Sequence, residues 1–153
     1  MNHELQAHKR KAERLGLEPA CRPNTLSDVP QMAIRVAEEN PWLQAYDYTK
    51  RLKWWAKHGG RRPDNYTVVL SRSETNEDQW VSMMRTGKWA GAVVFDTGDP
   101  EEFPTHYMGF PVVNGDSDDT VWRAKPGVVR GLTLKGTKAA KKAARDGGFA
   151  VAI

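Results

Sequence analysis

The feature that most constrains the fold of this chain is a short unit that recurs along it. In each unit an apolar, β-branched or aromatic run ends in a burst of polar residues and passes into a helix-prone segment. Residues 43–48 and 67–71 show the unit most clearly. Buried runs that alternate with helical segments are typical of parallel α/β architecture. The sequence therefore predicts an α/β fold in which helices flank a mainly parallel sheet.

Apolar runs and turn residues divide the chain into about six predicted strands and their connections. The predicted strands are residues 19–22, 43–48, 67–71, 90–95, 110–113 and 128–134. Helices are predicted at residues 3–15, 30–39 and 50–58, and a fourth begins at residues 74–76 and ends near Gly87. Ser27 or Asp28 is expected to cap the second helix. Residues 97–109 are expected to form a long acidic loop, and the last residues to dock as a short apolar strand.

A chain of 153 residues is long enough for one domain with a real core. We expect a single domain, residues 1–153, with an N-terminal helix at residues 1–16 and a basic C-terminal tail at residues 137–153. No apolar run approaches the roughly 20 residues of a membrane span, and the polar N-terminus does not match a secretory signal. The expected location is the cytoplasm, with no membrane partner.

Several kinds of chemistry have no support in the sequence. Cys21 is the only cysteine, so this chain forms no internal disulfide and no cysteine-based metal site of its own. The histidines lack metal-ligand spacing. The acidic turn at Asp116, Asp118 and Asp119 does not reproduce a calcium-loop pattern and is more typical of a solvated turn. We predict no metal and no cofactor; the catalytic residues stay unassigned, and whether the chain is an enzyme stays open.

Polar side chains follow one predicted strand after another. If the strands are parallel and adjacent, these side chains meet at one edge of the sheet, where α/β proteins bind ligands. Each residue taken alone is more typical of a loop or a helix cap than of a binding site. As a set they predict a ligand-binding site formed by Asn24, Asp28, Asp47, Thr49, Lys50, Ser71, Ser73, Glu74, Asn76, Asn114, Asp116 and Lys135.

Positive charge is distributed unevenly along the chain, whose formal net charge is +4. It is concentrated near the N-terminus, in the middle and at the C-terminus, whereas residues 97–120 contain no Lys or Arg. In the middle segment Trp54 lies among cations, a pattern that can stack bases and neutralise phosphates. The alternatives are solvated helix faces and, for Trp54, packing in the core. The nucleic-acid hypothesis assigns contacts to Lys53, Trp54, Lys57, Arg61, Arg62, Lys138, Lys141 and Lys142.

An ordered series of motifs resembles a family of uncharacterised phage and plasmid proteins related to the gene-product-88-like group. The motifs are RPNTLSDVP at residues 22–30, YDYTKR at 46–51, NYTVVLSRSETNED at 65–78, AVVF at 92–95, GFPVVNGDSDD at 109–119, GLTLKG at 131–136 and the terminal GFAV. The resemblance implies a radical-SAM-type partial (βα) barrel, and therefore a curved sheet. Relatives are expected to carry a cysteine-rich stretch before the matched region. This chain has only Cys21, so it resembles their C-terminal part, and a second polypeptide is a possible source of the missing part.

Two functions of different classes follow from these patterns. The first is a phage or mobile-element accessory protein with an enzyme-derived site, at the carboxyl ends of the strands, for a nucleotide-like or phosphorylated small molecule. The second is a non-enzymatic protein that binds nucleic acid or a host protein through its basic surface. For a phage-encoded chain the expected compartment is the host cytoplasm. The sequence alone does not decide between the two functions.

Overall fold

Seven strands form one sheet in the computed structural model, which describes residues 2–153 of the chain. The strands are β1 (Ala20–Cys21), β2 (Gln44–Thr49), β3 (Tyr66–Ser71), β4 (Ala90–Phe95), β5 (His106–Tyr107), β6 (Phe110–Asn114) and β7 (Val129–Thr133). Their order across the sheet is β1-β2-β3-β4-β7-β6-β5. Each neighbouring pair is parallel except β5 and β6, which form an antiparallel hairpin. The predicted α/β fold with a mainly parallel sheet is confirmed.

The described residues also contain five α-helices and two short 3₁₀-helices. The α-helices are α1 (Asn2–Leu15), α2 (Pro30–Glu39), α3 (Leu52–Lys57), α4 (Glu77–Arg85) and α5 (Lys138–Asp146), and the 3₁₀-helices are Pro100–Glu102 and Val121–Arg123. Each predicted helix is present, with bounds that differ by a few residues. In residues 2–153 no helix has both the length and the apolar character needed to cross a membrane.

The one strand that the sequence does not predict is β5, which lies inside residues 97–109, the expected loop. β5 has only two residues, and it exists because a turn at Met108 and Gly109 folds it back onto β6. Both turn residues have positive φ, 51° and 86°. The sheet is open and is not closed into a barrel, so the partial-barrel expectation is not confirmed.

The main core lies between one face of the sheet and helices α2, α3 and α4. Side chains alternate along β2, where the odd-numbered residues 45–49 are buried and Tyr46 and Tyr48 are half-buried. Trp55 of α3 and Trp80 of α4 are the largest fully buried side chains. On the opposite face a smaller cluster of β3 and β4 residues packs against Val121 of the second 3₁₀-helix.

The C-terminal residues dock on the sheet, as the sequence predicts. Val151 forms a parallel bridge with Phe95 of β4. Its N–H donates to the carbonyl of Val94 at 2.9 Å, and its carbonyl accepts from the N–H of Asp96 at 2.8 Å. The pairing of β3 with β4 ends at Ser71 and Ala92. The segment at residues 149–153 therefore continues the ladder of β4 beyond the end of β3.

Candidate functional site

The parallel strands direct their carboxyl ends to one edge of the sheet, called here the carboxyl edge. The residues of the predicted ligand site lie in or after β1, β2, β3, β6 and β7, so the fold brings them to this edge. They do not converge on one point, because β2 and β6 are four strand spacings apart, roughly 20 Å in an open sheet. The structure divides them into three groups, at β1–β2, at β3 and at β6–β7.

In the first group Asp47 is a buried carboxylate that fixes the loop after β1. It accepts hydrogen bonds from the backbone N–H and the side-chain amide of Asn24, at 2.9 and 3.1 Å, and from the Tyr66 hydroxyl at 2.9 Å. Burial raises the pKa of Asp47 above its ordinary value, although these bonds and nearby Arg22 favour the charged form. Asn24 and Asp47 are 2% and 1% exposed, so their polar atoms are engaged inside the protein.

Asp28 belongs to the same group and joins the loop to the end of β2. Its carboxylate accepts from the Thr49 hydroxyl at 2.8 and 3.0 Å and from the Lys50 N–H at 2.9 Å. Neither Asp28 nor Ser27 caps α2, because the residue before that helix is Val29 and no side chain caps it. The capping prediction is wrong because the loop turns Asp28 toward the neighbouring strand. The Lys50 side chain is exposed, and its ammonium lies 4.5 Å from the centroid of the Phe149 ring.

The group at β3 forms a turn that leads into α4. Asn76 accepts from the N–H of Ser73 at 2.7 Å and donates to the carbonyl of Ser71 at 3.0 Å. Ser73 is buried, whereas Glu74 is exposed and lies near Gly148. Of this group only the Glu74 carboxylate faces solvent freely enough to contact a ligand without rearrangement.

The group at β6–β7 centres on Asp116. Its carboxylate accepts from the N–H and hydroxyl of Thr133 at 2.7 and 2.8 Å and from the Lys135 ammonium at 2.6 Å. Burial disfavours the charged form, but the bonds from Lys135 and Thr133 outweigh it and lower the pKa of Asp116. Asn114 accepts from the N–H of Asp116 at 2.9 Å. In the part of the chain that the structure describes, no group of His, Cys, Asp or Glu has the arrangement of a metal site.

The C-terminal segment closes the carboxyl edge between β3 and β4, and Arg72 holds it there. The Arg72 guanidinium donates to the carbonyls of Gly148 and Phe149 at 2.5 and 3.0 Å and to the Glu77 carboxylate at 2.9 Å. Arg145 adds two bonds to Asp96, at 2.7 and 2.9 Å. Arg72 is missing from the predicted sites, and no local pattern distinguishes it, because the two carbonyls that it holds are more than 70 residues away.

A second concave surface lies between α2 and α3 at the opposite edge of the sheet, called here the amino edge. This α2–α3 groove has a volume of about 940 Å³ and is lined by Ile34, Glu38, Trp54, Lys57, His58 and Arg61, among others. Trp54 is half-buried. Its ring stacks on His58, with centroids 4.1 Å apart and planes 20° apart, and meets the edge of Trp55 at 4.9 Å. Trp54 therefore combines the two predicted alternatives, since it packs on the core and also lines a groove.

The predicted nucleic-acid residues do not form one surface. Trp54, Lys57, Arg61 and Arg62 meet at the α2–α3 groove, and Lys53 is exposed on α3 one turn before Lys57. The other three, Lys138, Lys141 and Lys142, lie on α5, which follows the carboxyl end of β7. A strand of five or six residues separates the two edges by roughly 20 Å. The α5 lysines therefore lie at the carboxyl edge, apart from the cations of the middle segment, and nucleic-acid binding by either group stays a prediction.

Arg62 differs from the other cations of the groove. Its guanidinium donates to the carbonyls of Tyr66 and Gly60 at 3.2 and 3.0 Å and lies 4.8 Å from the Trp89 ring centroid. Burial lowers the pKa of Arg62 from its ordinary value, but an arginine remains charged at neutral pH. Lys57 and Arg61 are exposed, and no hydrogen bond or ion pair joins their side chains to the rest of residues 2–153.

Two residues of the groove, Glu38 and His58, are missing from the predicted sites. Glu38 comes from α2, so only the packing of two helices brings it beside the basic segment. His58 follows Trp54 by four residues on a predicted helix, and that spacing alone was enough to indicate a stacked pair.

The fold defines this chain as an α/β protein with an open, mainly parallel sheet and a basic, Trp-lined groove at its amino edge. The Gene product 88 family model matches residues 1–151, and the chain belongs to this family of phage gene products. No curated protein and no solved structure matches the chain.

Proposed function

We propose that this phage-family protein binds nucleic acid through the α2–α3 groove, without a base-specific contact. The observation that supports the proposal most strongly is the position of Trp54, a half-buried ring in a groove of about 940 Å³ whose other side chains include Lys57, His58 and Arg61. A base can stack on the part of the Trp54 indole that His58 and the core leave uncovered, and cations beside it can neutralise the phosphates.

The charge of the groove is consistent with an anionic ligand. Lys57, Arg61 and Arg62 outnumber the one carboxylate of the lining, that of Glu38. The unpaired side chains of Lys57 and Arg61 can contact phosphates without first breaking a bond within the described chain. We expect binding to tolerate any base sequence, because phosphate contacts carry no direct sequence information.

The test is a titration of labelled single-stranded DNA, single-stranded RNA and duplex DNA at two salt concentrations. Affinity is expected to fall steeply as salt rises, because each neutralised phosphate releases counterions. Trp54→Ala is expected to weaken binding of a single strand by roughly 1–3 kcal/mol. Glu38→Gln is expected to strengthen binding, since it removes the carboxylate that repels the phosphates.

The matched control is the triple variant Lys138→Ala, Lys141→Ala, Lys142→Ala, which removes three cations from the opposite edge and is expected to leave affinity unchanged.

Thermal unfolding of each variant separates an effect on binding from an effect on folding. If Trp54 acts only in the core, Trp54→Ala lowers the melting temperature while the folded variant binds as well as the wild type. Absence of binding to all three nucleic acids at low salt would remove this function and favour a host-protein partner for the basic surface.

A second candidate is a site for a phosphorylated or nucleotide-like small molecule at the carboxyl edge. The observation that favours it is the common direction of six strands, since ligands of parallel α/β proteins bind outside the carboxyl ends of the strands. Exposed Lys50, Glu74 and Lys135 are the groups available to such a ligand, and the other predicted residues support the loops that carry them. Adenosine nucleotides and inorganic phosphate should raise the melting temperature of the wild type but not of Lys50→Ala.

A further inference from the structure

Two further clefts adjoin the α2–α3 groove along the amino edge. One, of about 530 Å³, lies between α3 and α4 and includes Trp55, Met83 and Trp89 in its lining. The other, of about 350 Å³, includes Asp64 and Thr67. Arg62 lines the groove and both clefts, and Lys88 lines both clefts. The three hollows therefore adjoin one another along this edge, and together they are called here the amino-edge surface.

The Gly59–Gly60 turn and Arg62 form the wall that these hollows share, and packing fixes this wall. Gly60 has a φ of +71°, and a Cβ atom there would lie 2.9 Å from the Trp89 ring. Arg62 holds the same turn through the carbonyls of Gly60 and Tyr66, with its guanidinium over Trp89. The positive φ of Gly60, its contact with the Trp89 ring and the bonds of Arg62 all constrain this turn, so the wall that the three hollows share is held in place.

Exposed cations lie at both ends of the amino-edge surface. Lys57 and Arg61 line the groove, and Lys88 lines the clefts beyond the Gly59–Gly60 turn. None of these three side chains has a hydrogen bond or ion pair with another residue of the described chain. Lys125 is also exposed and lies between Ala124 and Pro126, which line the smaller cleft. A flexible polyanion can contact all of them, whereas a single phosphate group reaches only one end.

We propose that the ligand of the amino-edge surface is single-stranded nucleic acid, which stacks a base on Trp54 and continues past the Gly59–Gly60 turn to Lys88. The inference rests on the proposed function and extends it, because it names the form of the nucleic acid and its path. Hollows of 300–1,000 Å³ suit small organic groups such as bases. A duplex keeps its bases stacked inside and is read by an element that projects into a groove, whereas this surface is indented.

The experiment compares oligonucleotides that differ in length. Single-strand sites of other proteins cover about 4–16 nucleotides, so strands of about 3 and about 12 nucleotides bracket the expected site. Trp54→Ala is expected to weaken both by roughly 5- to 150-fold. Lys88→Ala is expected to weaken only the longer strand and to reduce its salt slope by about 0.7, the value for one lost phosphate contact. Lys88→Arg, which keeps the positive charge, is expected to bind the longer strand as well as the wild type does.

The outcomes separate this inference from the proposed function. If Trp54→Ala and Lys57→Ala weaken the longer strand but Lys88→Ala does not, the path toward Lys88 is wrong and the groove remains the site. If duplex DNA of equal length competes as well as the single strand, the single-strand assignment is wrong. Absence of binding to any oligonucleotide overturns the proposed function itself. Thermal unfolding confirms that each variant is folded, and exposed Lys88 is a position where substitution should leave stability nearly unchanged.

Discussion

Single residues of this chain have roles that depend on burial. The Asn24–Asp47–Tyr66 cluster consists of residue types that are common at binding sites, yet its polar atoms bond one another inside the protein. By contrast, Lys57 and Arg61 fit either nucleic-acid contacts or solvated helix faces in the sequence, and the structure places them on the wall of a groove. The type and position of a residue therefore indicate its chemistry, but its partners decide whether that chemistry faces a ligand.

We expect the Cys21 thiol to react slowly in the folded protein. Burial, followed by the nearby charge of Asp47, raises the pKa of the Cys21 thiol from 9.0 to about 11. Because the thiolate is the reactive form, iodoacetamide is expected to alkylate the native protein at pH 8 far more slowly than the protein unfolded in guanidinium chloride. Mass spectrometry measures the rate, and Cys21 is the only thiol in the chain. Equal rates in the two states would contradict the raised pKa.

The same shift has a consequence for stability. The pKa is higher in the folded state than in the unfolded state, so the unfolded chain loses its proton first as pH rises. The contribution of Cys21 to stability is therefore fully present below about pH 9 and is lost between about pH 9 and pH 11. Replacing Cys21 by Ser should remove this part of the pH dependence.

At the scale of elements, the strands and helices follow from local patterns, whereas their caps and turns depend on neighbours. β4 was predicted at residues 90–95 and forms there, because a continuous apolar run is typical of a strand covered on both faces. No local pattern indicates β5, since its two residues gain strand geometry only by pairing with β6. The position of Asp28 before α2 indicates a helix cap, but its carboxylate accepts hydrogen bonds from Thr49 and Lys50 instead.

Alanine substitutions at Gly59 and Gly60 form a matched pair, because the two glycines share a positive φ and differ in their contacts. Both glycines have positive φ, +64° and +71°, but a Cβ at Gly59 meets nothing within 4 Å, whereas one at Gly60 lies 2.9 Å from Trp89. Gly59→Ala is expected to lower the free energy of unfolding by about 1–2 kcal/mol, the strain of the left-handed conformation. Gly60→Ala must also displace the Trp89 ring, which is expected to lower the free energy of unfolding by a further ~1–3 kcal/mol. Urea denaturation measures both, and equal losses would contradict the contact.

At the scale of the whole molecule, the open sheet separates two candidate surfaces. The strand ends lie along the carboxyl edge, which the C-terminal segment partly covers, and the groove and clefts lie at the amino edge. A closed barrel brings strand ends together around one axis, whereas in this open sheet the predicted ligand residues are spread over three groups. Membership in the Gene product 88 family agrees with either surface.

The single cysteine of this chain leads to a prediction about iron–sulfur chemistry. An iron–sulfur cluster is held by several thiolates, and this chain has one cysteine. We expect the purified chain, after anaerobic reconstitution with iron and sulfide, to retain neither in stoichiometric amount and not to cleave S-adenosylmethionine. Iron and sulfide analysis measures this, with the Cys21→Ser variant as the control for adventitious metal. A stoichiometric cluster would contradict the prediction.

The fold class, most element bounds and the parallel direction of the strands follow from local sequence patterns, because hydrophobic period and turn residues act over short distances. The sequence also indicates that Trp54 and its cations belong together, since they lie on adjacent turns. The position of α5 at the opposite edge, the bonds from Arg72 to the C-terminal segment and the burial of Asp47 depend instead on tertiary packing. These features join residues about 20 to 77 positions apart, and such contacts depend on the packing of whole elements rather than on any local pattern.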